Sequence, residues 1–175
     1  MSLATTTIPQ ADQLWDVARV PEAIDRGRRS NEAIAAYIGM KVARQGHYYT
    51  QAARILGLVA AGEPGDEPQL TILGRGFARS NRVEQRTYLR RLLLQREPTR
   101  AVVLALRKAN GLCRAEIAQT LQALAPLADS TAHRRAFTVA AWLAAVGLAE
   151  WRDGRLHYSG PAFPLSNPVQ DRDAA

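Results

Sequence analysis

The chain comprises 175 residues and 19.2 kDa, enough for one ordinary domain or two small ones. Its 47% hydrophobic content includes 31 alanines and 6% aromatics, so a helical, thin-cored protein is expected, and no apolar run approaches the ~18 residues of a bilayer span. Twenty-three Lys and Arg against 16 Asp and Glu give a net charge of +7, which suits nucleic acid, while the single cysteine, Cys113, excludes an internal disulfide framework or a Cys-rich zinc site.

Residues 1–15 lack a basic start followed by an apolar stretch, so no secretory signal is expected and the location expected is cytoplasmic. A first helix is predicted over 11–26, with Leu14, Val17, Ala18 and Ile24 inward. Ser30 stands where an N-cap belongs, ahead of a second helix over 31–39 that Gly39 ends. A third helix over 43–56 turns Tyr49, Ala52, Ala53 and Leu56 toward the core at helical spacing. Leu58–Ala61 and Gln69–Ile72 are predicted as strands around the turn-rich loop GEPGDEP. Three helices followed by strand, loop and strand make the winged form of the helix-turn-helix. Residues 70–80 start as a strand and become a helix capped near Ser80.

A linking helix follows over 82–96, with Val83, Tyr88, Leu89, Leu92 and Leu93 as its apolar side. Arg82, Arg86, Arg90, Arg91 and Arg96 form a basic flank, expected as surface charge paired with Glu84 and Glu97. Pro98 opens the next helix, which Asn110-Gly111 ends. Leu112 and Cys113 suit a short strand, and 114–124 a helix. Ser130 is the expected N-cap of a helix over 131–146. Strands Leu148–Trp151 and Arg155–Tyr158 flank the hairpin turn Asp153-Gly154. Residues 31–60 and 115–150 thus repeat one plan, each ending in an apolar run after a glycine. The expected fold is mainly α with small β wings: tandem winged-helix domains at 1–80 and 98–160, joined by a linking helix at 81–97 and followed by a disordered tail or linker at 161–175.

A helix-turn-helix reads DNA with the exposed side of its second helix. In the first half that side carries Arg44, His47, Gln51 and Arg54, with Lys41 and Gln45 near the helix start and Tyr48 placed to reach a phosphate. In the second half Thr131, Arg134, Arg135 and Thr138 are expected outward, with Ser130 at the helix start as a further DNA contact. Ala136, Ala140, Leu143 and Gly147 are expected inward, His133 toward the inner side, and Trp142 beneath the hairpin. Arg152 and Arg155 are the hairpin's candidates for a minor groove or phosphate. Of the 23 cations 21 are arginines, whose planar fork matches phosphate and guanine edges, although a GC-rich genome also produces that bias. Glu63, Asp66 and Glu67 in the first loop would be repelled by phosphate. No HExxH, Walker, GxSxG or nuclease carboxylate–lysine pattern is present, and Asp16 and Glu22 have nothing to support them as a catalytic pair. A non-enzymatic chain without a cofactor or metal is expected.

The string Arg44-Gln45-Gly46-His47-Tyr48-Tyr49, then Ala52-Ala53, Leu56-Gly57-Leu58-Val59 and Leu70-Thr71-Leu73-Gly74, resembles winged-helix modules that accompany type II restriction endonucleases and related bacterial defence proteins. Ser130-Thr131-Ala132, Arg134-Arg135, Thr138-Val139 and Trp142-Leu143 resemble the second module of the same tandem. The likeness covers about residues 30–158 and departs from the family in having no nuclease domain. It implies sequence-specific binding of double-stranded DNA, by the target-recognition module of a restriction-type enzyme or by a stand-alone transcription regulator. Arg44 and Gln45 match the first helix start; Arg134, Arg135 and Thr138 match the second helix. A nuclease domain or partner protein and a homodimer remain open as further partners. The alternative is a protein-docking module built on winged helices. Against it, residues 41–56 and 130–146 contain no acid.

Overall fold

The computed structural model of the protein describes residues 2–62 and 65–161. A 3-10 turn at Thr5–Thr7 precedes α1 (Leu14–Asp25), α2 (Asn31–Tyr37), α3 (Ala43–Ile55), α4 (Ile72–Ala78) and α5 (Arg82–Gln95). Then come α6 (Thr99–Ala109), α7 (Arg114–Leu124), α8 (Asp129–Ala145), β1 (Ala149–Arg152) and β2 (Arg155–Tyr158). Mainly helical structure with a small antiparallel sheet agrees with the composition.

The helix starts follow local chemistry. Ser30 Oγ accepts from the Ala33 N–H at 3.1 Å and caps α2. Thr71 Oγ1 accepts from the Gly74 N–H at 2.9 Å and caps α4. Asn81 and Glu84 close a reciprocal capping box at α5, the side chain of each taking the other's N–H. Cys113 and Glu116 form the corresponding box at α7. The hairpin turns through Asp153 (φ 49°) and Gly154 (φ 74°), the left-handed pair that a tight two-residue turn needs. It aligns Ala149 with Tyr158 and Arg152 with Arg155, and Leu112 bridges to Leu156 as a third, minimal strand.

Each half is built round a pair of packed helices, α2 with α3 and α7 with α8. At Gly46 the two backbones nearly touch: a Cβ there would lie 2.0 Å from the Asn31 carbonyl oxygen. Tyr49, Ala52, Ala53 and Leu56 of α3 are buried as expected. Phe77 anchors α4, its ring edge-on to Tyr88 of α5 at 6.1 Å. One connected set of buried side chains runs from Ile8 to Leu156, so both halves contribute to the same core.

Several expectations are corrected. The first wing is reduced to a bridge between Val59 and Leu70, because Thr71 caps a helix and Ile72 is already helical. Val83 is exposed rather than apolar packing, lying on the outer side of the first turn of α5. Glu84 is used in the Asn81 cap and Glu97 pairs with Arg100, so neither neutralises the basic flank of α5. Helix α8 starts at Asp129 after Ala128, so Ser130 is inside the helix and is not its cap. Gly147 is exposed beyond the end of that helix. Glu63 and residues 162–175, most of the expected tail, lie outside the described residues.

Residues 2–13 form no regular element beyond the 3-10 turn but are firmly placed. Ile8 and Ala11 are buried, and the residue before Pro9 is extended, as proline requires. The Leu3 N–H donates to the Leu124 carbonyl at 2.7 Å, at the end of α7. Arg135 donates to the Ile8 carbonyl and Trp142 Nε1 to that of Ala11, both from α8. The segment is therefore a strap laid across the second half before the chain enters α1, which packs on α3, α4 and α8.

Candidate nucleic-acid interface

Because one side of α3 is committed to the core, its outward side is fixed by helical geometry. Arg44 and His47 are exposed there, and Lys41 is exposed just before the helix. Gln45, Tyr48 and Gln51 are half-buried. Arg44 Nε donates to the Tyr48 hydroxyl, and its guanidinium lies 5.2 Å from that ring's centroid. The pair holds a cation in a defined place on the surface. Arg54 is turned away: its Nε donates to the Ala60 carbonyl at 3.2 Å, satisfying the start of the reduced wing.

The α3 stripe divides between two flanks. His47 and Arg54 border a cleft of about 340 Å³ that also carries Arg29, Glu32, Asp66 and Glu67. Arg29 pairs with Glu67 there at 3.4 Å. Asp66 and Glu67 of the loop therefore lie on one flank of α3. Tyr48 and Gln51 lie on the other flank, where they face Thr6 and Gln10 of the strap and Arg135 of α8 around a gap of about 10 Å³. Burial, then the charge of Arg134, lowers the Arg135 pKa, and Tyr48 opposes the shift, so these groups are electrostatic neighbours. Tyr48 and Gln51 of α3 and Arg135 of α8 thus border one strip of surface, with the strap between them.

On α8, Ser130 and Arg134 are exposed, and Arg134 Nη2 donates to Thr131 Oγ1 at 3.4 Å. Several assignments change. Thr138 is 4% exposed and its hydroxyl donates to the Arg134 carbonyl at 3.3 Å, because this part of α8 is covered on more than one side. Arg135 is drawn down onto the strap rather than outward. His133 is exposed, with Nδ1 2.9 Å from the Asp129 carbonyl oxygen, and its own carbonyl accepts from Arg114. Trp142 is buried, and its indole Nε1 donates to the Ala11 carbonyl of the strap.

The hairpin arginines also have partners. Arg155 Nη2 donates to Glu116 at 2.9 Å and to the Gly111 carbonyl at 2.9 Å, which ties the hairpin to the start of α7. The Cys113 N–H, with Arg155 assisting, holds the Glu116 carboxyl below its ordinary pKa. Arg152 pairs with Glu150 along β1 at 3.1 Å and remains exposed. Of the fourteen candidates, Lys41, Arg44, His47, Ser130, Arg134 and Arg152 are exposed on their elements. Sequence reasoning missed the strap. Its signal is Ile8-Pro9, one apolar residue locked extended amid Thr5, Thr6, Thr7 and Gln10.

Among the described residues, no cluster of three or more His, Cys, Asp or Glu is arranged to hold a metal, and no helix is long and apolar enough to cross a membrane. Residues 18–147 match the family described as a domain of unknown function, DUF7226. The chain belongs to the DUF7226 family. In this DUF7226 chain the matched span takes in α2, α3, α7 and α8 but leaves out the strap and the final hairpin. No curated protein and no solved structure matches the chain.

Proposed function

We propose that this protein is a tandem winged-helix protein that binds double-stranded DNA in a sequence-dependent way. It acts as the target-recognition module of a restriction-type enzyme or as a stand-alone bacterial regulator, in the cytoplasm and without catalysis of its own. The observation that carries this reading is the adjacency of α3 and α8 on one strip, with Arg44 and Arg134 exposed and Asp66 and Glu67 on the far flank of α3. Arginine forks suit guanine edges and phosphates, and fixed helices give them a defined register. Phosphate contacts would supply most of the affinity and base contacts the discrimination.

Selection of bound duplexes from a random pool tests the proposal. A recovered consensus, with affinity falling at least about tenfold between ~50 and ~200 mM salt, supports it. Absence of duplex binding at ~50 mM salt overturns it and leaves the protein-docking alternative.

A further inference from the structure

The strap brings groups to the strip that belong to neither helix. Thr6 and Gln10 are exposed and border the gap between Tyr48 and Gln51 of α3 and Arg135 of α8. Among the described residues, neither side chain makes a hydrogen bond within the protein. Their backbone, by contrast, is pinned. Ile8 and Ala11 between and beside them are buried, and their carbonyls accept from Arg135 and Trp142. The Thr7 N–H and hydroxyl both return to the Ala4 carbonyl, at 3.0 and 2.7 Å, which closes the 3-10 turn. Two unspent hydrogen-bonding side chains are thus held on a fixed stretch of main chain between two basic helices.

We propose that residues 5–10 form a third contact element, in which Thr6 and Gln10 hydrogen-bond the duplex segment lying between those read by α3 and α8. This rests on the DNA reading above and deepens it. A primary amide such as that of Gln10 offers both a donor and an acceptor to a base edge, and a hydroxyl such as that of Thr6 serves a phosphate or a base. Neither carries charge, so the element adds discrimination without adding to the salt dependence. It also makes the reading continuous, because the two helices would otherwise contact separate segments with an unread gap.

The test uses the full chain and the best duplex from the selection, with wild type, Arg44→Ala and Thr6→Ala/Gln10→Ala compared for affinity, salt slope and melting temperature. The strap variant is expected to bind the selected duplex about tenfold or more weaker, with an unchanged salt slope and an unchanged melting temperature, and to relax selectivity at central positions. Hydroxyl-radical footprints are expected to lose protection between the two helix footprints. Binding of the strap variant within twofold of wild type, while Arg44→Ala binds weakly, overturns the strap element alone. Failure of wild type to bind any duplex overturns the DNA reading beneath it.

Discussion

The indole Nε1 of Trp142 donates to the Ala11 carbonyl at 2.8 Å, joining positions 131 apart in the chain. Trp142 is 0% exposed, so removal of the donor leaves a carbonyl that water does not reach. Trp142→Phe is expected to cost about 2–3 kcal/mol from the lost bond and the lost ring volume, measured by urea unfolding.

The adjacent arginines of α8 are expected to differ. Arg135 is half-buried and spent on the Ile8 carbonyl, whereas Arg134 is exposed. Arg135→Ala should lower stability by about 1–2 kcal/mol and Arg134→Ala by less than about 0.5 kcal/mol. Thermal unfolding of the two variants side by side separates them, and equal losses would contradict the strap's placement.

Thr50 on α3 has a buried hydroxyl with no hydrogen-bond partner among the described residues. Valine has nearly the same shape and no polar atom. Thr50→Val is therefore expected to stabilise by about 1 kcal/mol, seen as a melting point raised by about 2–4 °C.

Tyr49 gives an alkaline signature. Burial, followed by the charges of Asp12 and Asp16, pushes its phenol up from 10.0 to about 12. Folding thus favours the protonated form. That contribution is complete below pH 10, where the unfolded phenol also keeps its proton, and it is lost as pH rises toward about 12. Tyr49→Phe should lack this component, so its stability relative to wild type improves across that window. Unfolding curves at successive alkaline pH values check it, and parallel curves for the two proteins would refute it.

Gly46→Ala places a methyl group 2.0 Å from the Asn31 carbonyl oxygen, so α2 must shift. Alanine's better helix propensity, worth about 1 kcal/mol, does not offset this, and a net loss of about 2–3 kcal/mol is expected in urea unfolding.

Elements specified by their own residues were legible in the sequence. Ser30, the proline at 98 and the Asp153-Gly154 turn each act within four positions, and the helices and hairpin they bound stand close to where they were expected. The inward side of α3 was legible because that helix is packed on one main side. Helix α8 was not, since α7 and the strap cover it from different directions and leave Thr138 no outward side. The strap itself has no periodicity, and its partners Arg135 and Trp142 lie 127 and 131 positions away. Arg155 and Arg54 looked free because the groups they satisfy, Glu116 with Gly111 and the Ala60 carbonyl, meet them only after folding. The same limit applied to the first wing, where Thr71 suits a strand by type but serves as a cap.

Where α2 crosses α3, main-chain atoms meet at Gly46 and leave no room for a side chain. That contact lies on the buried side of α3, apart from the residues on its solvent side. Replacing residues on the solvent side of α3 therefore alters what the helix presents without disturbing the contact that seats it against α2.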